Sequence, residues 1–308
     1  MVVAQNFAHG GIVRAESAFV NRVCYYRAMQ RALFCFGLGY SAGFLVRRLA
    51  HQGWAIAGTS RDGAAAPFAL QRFERAQPLA DASEQLAATT HLLISIPPDA
   101  AGCPVFDRHG AEIAALRPLR WIGYLSSTNV YGDRAGGWVD ETMPTEPSGE
   151  RGRRRVVAEA AWRALGERSG IPVQIFRLAG IYGPGRSVLD ALRAGTARRI
   201  VKPGQVFSRI HVADLATVLE ASIARPHTGA IYNVCDDAPS PADEVIAYAA
   251  ALLGVAPPPL EDFASAALSP MARSFYDDSK RVSNRRIKEE LGVSLRYPSY
   301  REGLKALI

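Results

Sequence analysis

The sequence predicts an α/β protein built on a doubly wound parallel sheet, with a small carboxyl-terminal domain. Short apolar runs, each suited to one buried strand, alternate with segments whose apolar residues recur at helical spacing. A glycine-rich turn joins the first of these strands to the first helix. The chain has 308 residues, 48% of them hydrophobic, which is enough for a sizeable core. Because strands that alternate with helices need crossover connections, the sheet should be parallel.

The stretch GLGYSA, residues 37–42, is predicted to bind a dinucleotide. It follows an apolar strand over 33–36 and opens a helix. Gly37 permits a tight turn, Gly39 lets the backbone approach a pyrophosphate, and the small Ala42 lets the helix pack against the strand. The helix N-terminus favours the negative charge. The nucleotide-binding domain is therefore predicted to be of the Rossmann type. The residues expected to contact the cofactor here are Gly37, Gly39, Tyr40, Ser41 and Ala42.

The end of the second strand, which begins at Trp54, is predicted to select the cofactor. An acid there would bind the ribose 2′-hydroxyl of NAD, whereas an arginine nearby favours the 2′-phosphate of NADP. The position falls at Thr59 or Ser60, and Arg61 follows. A hydroxyl and a guanidinium suit a phosphate, so we predict that NADP(H) is favoured over NAD(H). Asp62 would reverse this preference if the loop register were shifted by two residues.

Two later strands end in polar residues. HLLISIPP, residues 91–98, and RWIGYLSSTNVYGD, residues 120–133, are each predicted to contain a buried strand. Ligands bind beyond the carboxyl ends of strands in open parallel sheets, so these ends should contact the cofactor. The cofactor-binding residues predicted there are Ser95, Ile96, Pro97 and Ser126, and Thr128 is predicted to contact substrate. An arginine cluster, SGERGRRRVVAE at 148–159, precedes a helix predicted from about Val156 to Arg168.

Four stretches of the chain resemble the successive signatures of one known family. YLSSTNVYGD, FRLAGIYGPGR, SRIHVADLA and AIYNVCDD are similar to motifs of the extended short-chain dehydrogenase/reductases, the NAD-dependent epimerase/dehydratase family. The motifs occur in the family's order and spacing, and the resemblance extends from about residue 30 to the C-terminus. It implies a nucleotide-binding fold and catalysis by a Ser or Thr, a Tyr and a Lys. The Ser/Thr position corresponds to Ser127.

The arginine cluster lies where the resemblance implies the tyrosine and the lysine. Aligning Gly152 and Glu159 with the family's Y-G-x-S-K-x-x-x-E stretch puts Arg151 at the tyrosine position and Arg155 at the lysine position. Arg155 could still bring charge and hydrogen bonds to the nicotinamide ribose. Arg151 cannot exchange a proton, because a guanidinium stays charged at any working pH. The usual Tyr–Lys chemistry is therefore expected to be absent, and the chain is an atypical member by this resemblance.

Several functions stay open at this point. The protein could be an oxidoreductase or epimerase/dehydratase-like enzyme with another acid/base; the candidates are Tyr131, Asp133, Glu141 and Glu150. Arg151 and its neighbours could instead bind an anionic carboxylate or phosphate substrate bidentately. A third hypothesis is a non-catalytic NADP(H)-binding regulator or sensor. A nucleotide-sugar epimerase is a further alternative, weakened because oxidation at a sugar carbon needs the missing proton transfer.

The carboxyl-terminal part should line the substrate site. Tyr182 and Arg186 flank a glycine-rich loop that lies beside cofactor and substrate in the family. Arg209 matches an arginine that contacts the diphosphate in relatives that handle nucleotide sugars. His211 and Asp214 are predicted to organise a loop and cap a helix.

The chain is predicted to have two domains and an extension. The nucleotide-binding domain spans residues 29–177, with later strands near 206–235 returning to it; residues 178–205 and 236–308 form the smaller domain. Within that domain, one helix is predicted with Ser240 as N-cap and Pro241 at its first position, and another with Ser283 at its start. Residues 1–28 lack the apolar stretch of a secretory signal; an upstream start codon is favoured over a transit peptide, with folding beginning near Met29.

Composition limits the partners. The formal net charge is +7 and the pI about 9.4, which suits phosphorylated small molecules and nucleic acids alike. No aromatic residues interleave with the clustered arginines, so no nucleic-acid partner is expected. The four cysteines are dispersed, which predicts no metal site and a reducing cytoplasm. No apolar run approaches the roughly 20 residues that cross a bilayer, so no membrane association is expected. A small-molecule substrate is predicted, and the resemblance suggests a homodimer.

Overall fold

A seven-stranded parallel sheet forms the centre of the protein, which confirms the predicted fold class. The computed structural model describes residues 31–61 and 68–308, so the predicted extension over 1–28 and Asp62 lie outside the described residues. The strands are β1 (Ala32–Phe36), β2 (Ala55–Ser60), β3 (Ala69–Arg72), β4 (His91–Ile94), β5 (Trp121–Ser127), β6 (Trp138–Val139), β7 (Val173–Leu178), β8 (Gly180–Tyr182), β9 (Arg199–Val201), β10 (Arg209–His211), β11 (Ile231–Val234), β12 (Leu260–Asp262) and β13 (Arg281–Val282). The order in the central sheet is β3-β2-β1-β4-β5-β7-β11.

Helices cover both faces of this sheet. They are α1 (Tyr40–His51), α2 (Ala82–Gln85), α3 (Pro104–Ala115), α4 (Glu150–Ser169), α5 (Val188–Arg193), α6 (Val212–Ala224), α7 (Ala242–Leu253), α8 (Pro270–Ser274), α9 (Arg285–Glu289) and α10 (Tyr300–Lys305). On one face, Leu45 of α1 and Leu219 of α6 pack on Leu33 and its neighbours. On the other, Ile113 of α3 and Trp162 of α4 pack on Phe34 and its neighbours. The strands β1, β4, β5, β7 and β11 contribute to both cores because their side chains alternate between faces.

The strand order reverses between β1 and β4, which are hydrogen-bonded neighbours. The connections from β1 and β4 therefore leave in opposite directions and open a crevice at their carboxyl ends. Three two-stranded sheets, β8–β10, β9–β12 and β6–β13, lie outside the central sheet. The last of these joins the loop after β5 to the 278–282 segment near the carboxyl terminus.

Three predicted helix starts need correction. Helix α4 begins at Glu150 and not near Val156, so the arginine cluster lies inside it. Glu150 accepts hydrogen bonds from Arg153 and Arg154 and places an acid in the first turn, where it favours the helix dipole. Helix α7 is capped at Pro241, because the Ser240 hydroxyl donates to the carbonyl of residue 238. Helix α9 begins at 285, because residues 281–282 form β13.

The predicted roles of His211 and Asp214 are confirmed. His211 caps helix α6, and its Nδ1 accepts a hydrogen bond from the Ala213 amide. The Asp214 carboxylate accepts the amides of Arg296 and Tyr297, at 2.9 Å each, and so holds the segment before α10. Within 31–61 and 68–308, there is no helix long and apolar enough to span a bilayer and no cluster of three potential metal ligands among His, Cys, Asp and Glu.

Candidate functional site

The glycine turn presents an open backbone surface at the N-terminus of α1. Gly37 has φ +86°, and a Cβ there would meet Ile96 Cγ1 at 2.8 Å, so only glycine fits. Gly39 caps α1, and a Cβ built on it meets nothing within 4 Å. The first turn of α1 contains no acidic residue, and no side chain caps it. Its N–H groups and positive dipole end are therefore available to an anion, so this cradle fits a dinucleotide pyrophosphate.

The end of β2 closes this turn from the side. The Thr59 hydroxyl is fully buried and accepts the Gly37 amide at 3.0 Å, while the Leu38 amide donates to the Thr59 carbonyl at 2.7 Å. Ser60 Oγ is buried and has no hydrogen-bond partner in the described part of the chain. Arg61 follows and is exposed. The hydroxyl of Thr59 is thus structural, and a hydroxyl and a guanidinium are left beside the cradle.

A cavity of about 870 Å³ opens at the carboxyl ends of β4, β5 and β7. Eight of the predicted site residues line it: Ser41, Ser95, Ser126, Ser127, Thr128, Arg155, Arg186 and Arg209. Among the other predicted cofactor residues, Ile96 packs on Gly37 and Pro97 is exposed just beyond it. The strand ends therefore bring together residues that lie up to 168 positions apart in sequence.

The two serines at the end of β5 have different surroundings. Ser126 Oγ donates to Glu159 Oε1 at 2.5 Å, and Glu159 forms a buried ion pair with Arg177 at 2.8 Å. Ser126 is therefore committed to the core. Ser127 Oγ accepts the Asn129 amide at 3.3 Å and caps the short 3₁₀ helix over 128–131. Accepting this bond leaves the hydroxyl hydrogen of Ser127 available to an oxygen of a ligand in the cavity.

Arg155 lies in the second turn of α4 and reaches the same strand end. Its Nη1 donates to the Leu125 carbonyl and, at 3.3 Å, to the Tyr124 hydroxyl. Burial raises the pKa of Tyr124, so this phenol remains protonated. The guanidinium of Arg155 is fixed by neutral oxygens and lines the cavity, which keeps its charge available to a ligand.

Arg151 lies one turn earlier in α4 and contacts α8. Its Nη2 donates to Ser274 Oγ at 2.7 Å, its Nη1 lies 3.4 Å from Met271 Sδ, and its Cζ lies 5.1 Å from the centre of the Phe275 ring. All three of these partners line the cavity. Arg151 therefore holds a wall of the cavity through both of its Nη atoms.

Two tyrosines among the predicted site residues are buried and hydrogen-bonded within the core. Tyr131 is fully buried; its hydroxyl donates to Asn233 and accepts from Arg177, and burial raises its pKa to about 12. These contacts favour the structural role of Tyr131 over the acid/base role. Tyr182 is also buried, and its hydroxyl donates to the Ser299 carbonyl at 3.3 Å. Tyr182 packs in a core cluster with Leu189 of α5 and Tyr300 of α10.

The other proposed acid/base groups are occupied as well. Asp133 Oδ1 accepts the Ser279 amide at 2.7 Å, and this bond lowers the pKa of Asp133. Glu141 accepts the Asn233 amide at 2.7 Å, and burial raises its pKa. Glu150 is paired with two arginines on the surface of α4. Asp133 and Glu141 therefore bind backbone amides of distant segments, whereas Glu150 binds side chains of its own helix.

The charged residues of the cavity wall, within the described ranges, are mostly cations. They are Arg155, Arg186, Arg198, Arg209 and Lys280, against the single carboxylate of Asp278. Arg198 is paired with Glu261. Arg209 is half-buried and donates to the Phe207 and Ser240 carbonyls at 2.9 and 3.0 Å, and desolvation lowers its pKa. Arg186 lies over the Tyr40 ring at 5.5 Å. The cavity is thus suited to a negatively charged ligand.

Some residues of this site were not anticipated from sequence. Asn129, Tyr276, Asp278, Lys280 and helix α8 all contribute to the cavity wall. Residues 278–282, just before the helix predicted at Ser283, run along the loop after β5. Lys280 is a lysine in a chain whose cationic residues are mostly arginines, and this rarity is the sequence signal that could have identified it as a site residue.

The fold and the cradle define a dinucleotide-binding α/β protein, and comparisons specify its family. Residues 111–235 match the model of the NAD dependent epimerase/dehydratase family. The chain is similar to a structure described as a functionally unknown conserved protein from Silicibacter pomeroyi, with 54% identity, a TM-score of 0.84, and coverage of 90% of this chain and 98% of that one. Over residues 111–235, the chain therefore matches the NAD-dependent epimerase/dehydratase family.

Two curated proteins are also similar. Protein YeeZ of Escherichia coli strain K12 is 29% identical over 279 residues, which cover 85% of this chain and 94% of the relative. A 3-diazoavenalumate denitrifying reductase of a Streptomyces species is 31% identical over 163 residues. The latter alignment covers 49% of this chain and 51% of the reductase, so it extends over about half of each protein.

Proposed function

We propose that the protein is an NADP(H)-preferring oxidoreductase that reduces a small anionic carbonyl compound. One observation carries the proposal: Ser41 in the first turn of α1, next to the glycine cradle, lines the same cavity as Ser127 and the cationic wall. The similarity to a reductase supports this reaction class over the others that the family performs. We also propose a homodimer in the cytoplasm, as the family resemblance and the dispersed cysteines suggest.

The cofactor would be held by backbone groups and by two polar side chains. Gly37 and Gly39 let the chain approach the pyrophosphate, whose charge the N-terminus of α1 favours. Ser60 and Arg61 follow Thr59, whose hydroxyl binds the Gly37 amide, and the exposed guanidinium of Arg61 would bind a 2′-phosphate. When bound, the reduced nicotinamide supplies a hydride.

The substrate would be oriented by hydrogen bonds and charge. Ser127 can donate to the oxygen that gains negative charge as a carbonyl is reduced. Arg155, with its charge not neutralised by a carboxylate, would bind the nicotinamide ribose or the substrate. Arg209 and Arg186 provide positive charge deeper in the cavity and at its rim, which favours a carboxylate or phosphate on the substrate. On this proposal Arg151 replaces the family tyrosine and performs no proton transfer.

A second candidate is a non-catalytic NADP(H)-binding regulator. The contacts of Arg151 with α8 favour it, because a helix held across the cavity could report an occupied site. A nucleotide-sugar epimerase is the other enzyme alternative. It would need a proton acceptor for a sugar hydroxyl, and helix α4 contains neither tyrosine nor lysine.

The proposal is tested by NADPH oxidation with carbonyl compounds that differ in charge. Suitable probes are 4-carboxybenzaldehyde and phenylglyoxylate against neutral benzaldehyde, and UDP-glucose with NAD⁺ for the epimerase. We expect oxidation with the anionic carbonyls and a loss of roughly a hundredfold in Ser127→Ala. Ser294→Ala, an exposed serine elsewhere, is the matched control. Tight NADPH binding with no oxidation of any probe would instead support the regulator.

A further inference from the structure

Lysine is rare in this protein, and one lysine is buried in the wall of the cavity. The chain has 36 Lys and Arg residues, and only four are lysines: Lys202, Lys280, Lys288 and Lys305. The side chain of Lys280 is 8% exposed and lines the same cavity as Ser127. An ammonium group can release a proton near neutral pH when it is desolvated, whereas a guanidinium cannot. Lys280 thus differs chemically from the arginines around it.

Two acceptors hold the Lys280 ammonium, which has three N–H donors. Its Nζ donates to the Gly132 carbonyl at 2.8 Å and to Asp278 Oδ2 at 3.1 Å. An ammonium has three N–H donors, so one stays available to the cavity. The backbone of Ser279 accepts the amides of Arg134 and Gly136 at 3.0 and 2.9 Å, which ties this segment to the loop after β5. That loop follows the 3₁₀ helix that Ser127 caps.

The surroundings of Lys280 favour the loss of a proton from its ammonium group. Burial lowers the pKa of Lys280 below its ordinary value, and the charge of Arg134 acts in the same direction. Asp278 and Asp133 oppose this effect but do not cancel it. Neither carboxylate can deliver a proton itself, because Asp133 is held by the Ser279 amide and Asp278 already accepts from Lys280. Among the cavity's charged groups in the described ranges, Lys280 is the one suited to release a proton.

We propose that Lys280 is the proton donor of the reduction, in place of the tyrosine that the family uses. The inference rests on the proposed function. As the carbonyl carbon gains a hydride, the electron pair of the C=O π bond moves to oxygen, and that oxygen takes a proton from Lys280 Nζ. The amine that remains is reprotonated from water, so atoms and charge balance. Ser127 assists by donating a hydrogen bond to the same oxygen, and Arg155 provides positive charge without a proton.

The first measurement is the titration of the lysines themselves, and it does not depend on turnover. Protein labelled with ¹³C at lysine Cε gives four signals, which Lys→Arg variants assign one by one. In the NADP⁺-bound protein we expect Lys280 to titrate at the lowest pH of the four. Lys305, which is exposed, provides the reference. Titration of Lys280 together with Lys305 would overturn the proposal.

The second measurement separates proton donation from structure. K280R keeps the charge and the donors to Gly132 and Asp278 but cannot release a proton, so we expect kcat to fall roughly a hundredfold or more with unchanged NADPH affinity. K305R is the matched control and should be fully active. In K280A, methylamine should restore part of the rate, with a pH dependence that follows the added amine. Full activity of K280R would overturn the Lys280 assignment alone, whereas a wild-type protein that reduces no carbonyl would overturn the proposed function and this assignment with it.

Discussion

Nη2 of Arg151 lies 2.7 Å from Oγ of Ser274, so a hydrogen bond joins helix α4 to helix α8 beside the cavity. The guanidinium also stacks on Phe275, an exposed aromatic ring. The family resemblance predicts a catalytic tyrosine at this position. Arg151 instead contacts Ser274, Met271 and Phe275, three residues of the cavity wall.

Substitution of Arg151 by alanine should loosen α8. It removes the Ser274 hydrogen bond and the contact with Phe275, each worth roughly 0.5–1 kcal/mol at an exposed site. We expect hydrogen exchange of the 268–276 segment to rise about five- to tenfold, with exchange in α1 unchanged. Arg154→Ala, which breaks only an exposed pair with Glu150, is the control. Unchanged exchange over 268–276 would show that Arg151 does not hold this segment.

The two glycines of the turn should fail in different ways when replaced by alanine. Gly37→Ala places a Cβ 2.8 Å from Ile96 at φ +86°, so we expect a loss of roughly 1–3 kcal/mol in the free energy of unfolding. Gly39→Ala meets nothing within 4 Å and should fold normally. Its methyl group would project into the cradle, and NADPH affinity should fall at least tenfold. Urea unfolding and fluorescence titration measure the two effects; normal NADPH affinity in folded Gly39→Ala would contradict the cradle.

Arg61 should decide between the two dinucleotides. If its guanidinium binds the 2′-phosphate, Arg61→Ala should weaken NADPH binding about tenfold, which corresponds to roughly 1.4 kcal/mol, and leave NADH binding unchanged. Arg117→Ala, an exposed arginine on a loop after α3, controls for net charge. Calorimetric titration measures the affinity of the wild type and of both variants for each dinucleotide. Tighter binding of NADH than NADPH by the wild type, with no effect of the substitution, would make the NADP(H) preference wrong.

Local patterns in the sequence predicted the fold and the cradle because their causes are local. The run over 33–36 alternates between two cores, and the turn over 37–42 needs glycine for reasons of backbone geometry within a few residues. The strand ends at Ser95 and Ser127 follow from the same logic, since parallel strands deliver their carboxyl ends to one edge.

The interior of the site could not be predicted in the same way, because it depends on distant contacts. Arg151 forms a hydrogen bond with Ser274, 123 positions away in sequence, and Lys280 forms one with Gly132, 148 positions away. Tyr131 belongs to a motif that the family resemblance associates with the active site, yet its hydroxyl forms hydrogen bonds with Arg177 and Asn233 from two later strands. Only the three-dimensional arrangement decides which polar side chains can contact a ligand and which are hydrogen-bonded within the core.

A buried carboxyl behind the cavity should make stability fall as pH rises. Burial raises the pKa of Asp236 to about 7, and its Oδ2 has no hydrogen-bond partner in the described part of the chain. Between pH 4 and 7 the folded protein therefore keeps a proton on Asp236 that the unfolded chain has lost, so this group's contribution to stability declines by up to about 1.4 kcal/mol per pH unit.

The Asp236→Asn variant tests this prediction because it removes the titration of residue 236. Because buried His91 and His211 have pKa values lowered to about 4 and act in the opposite direction, the quantity to measure is the difference between variant and wild type. In urea unfolding, the variant should gain on the wild type from pH 4 to pH 7 and stay level above it; a constant difference across this range would show that Asp236 is already ionised in the folded protein at pH 4.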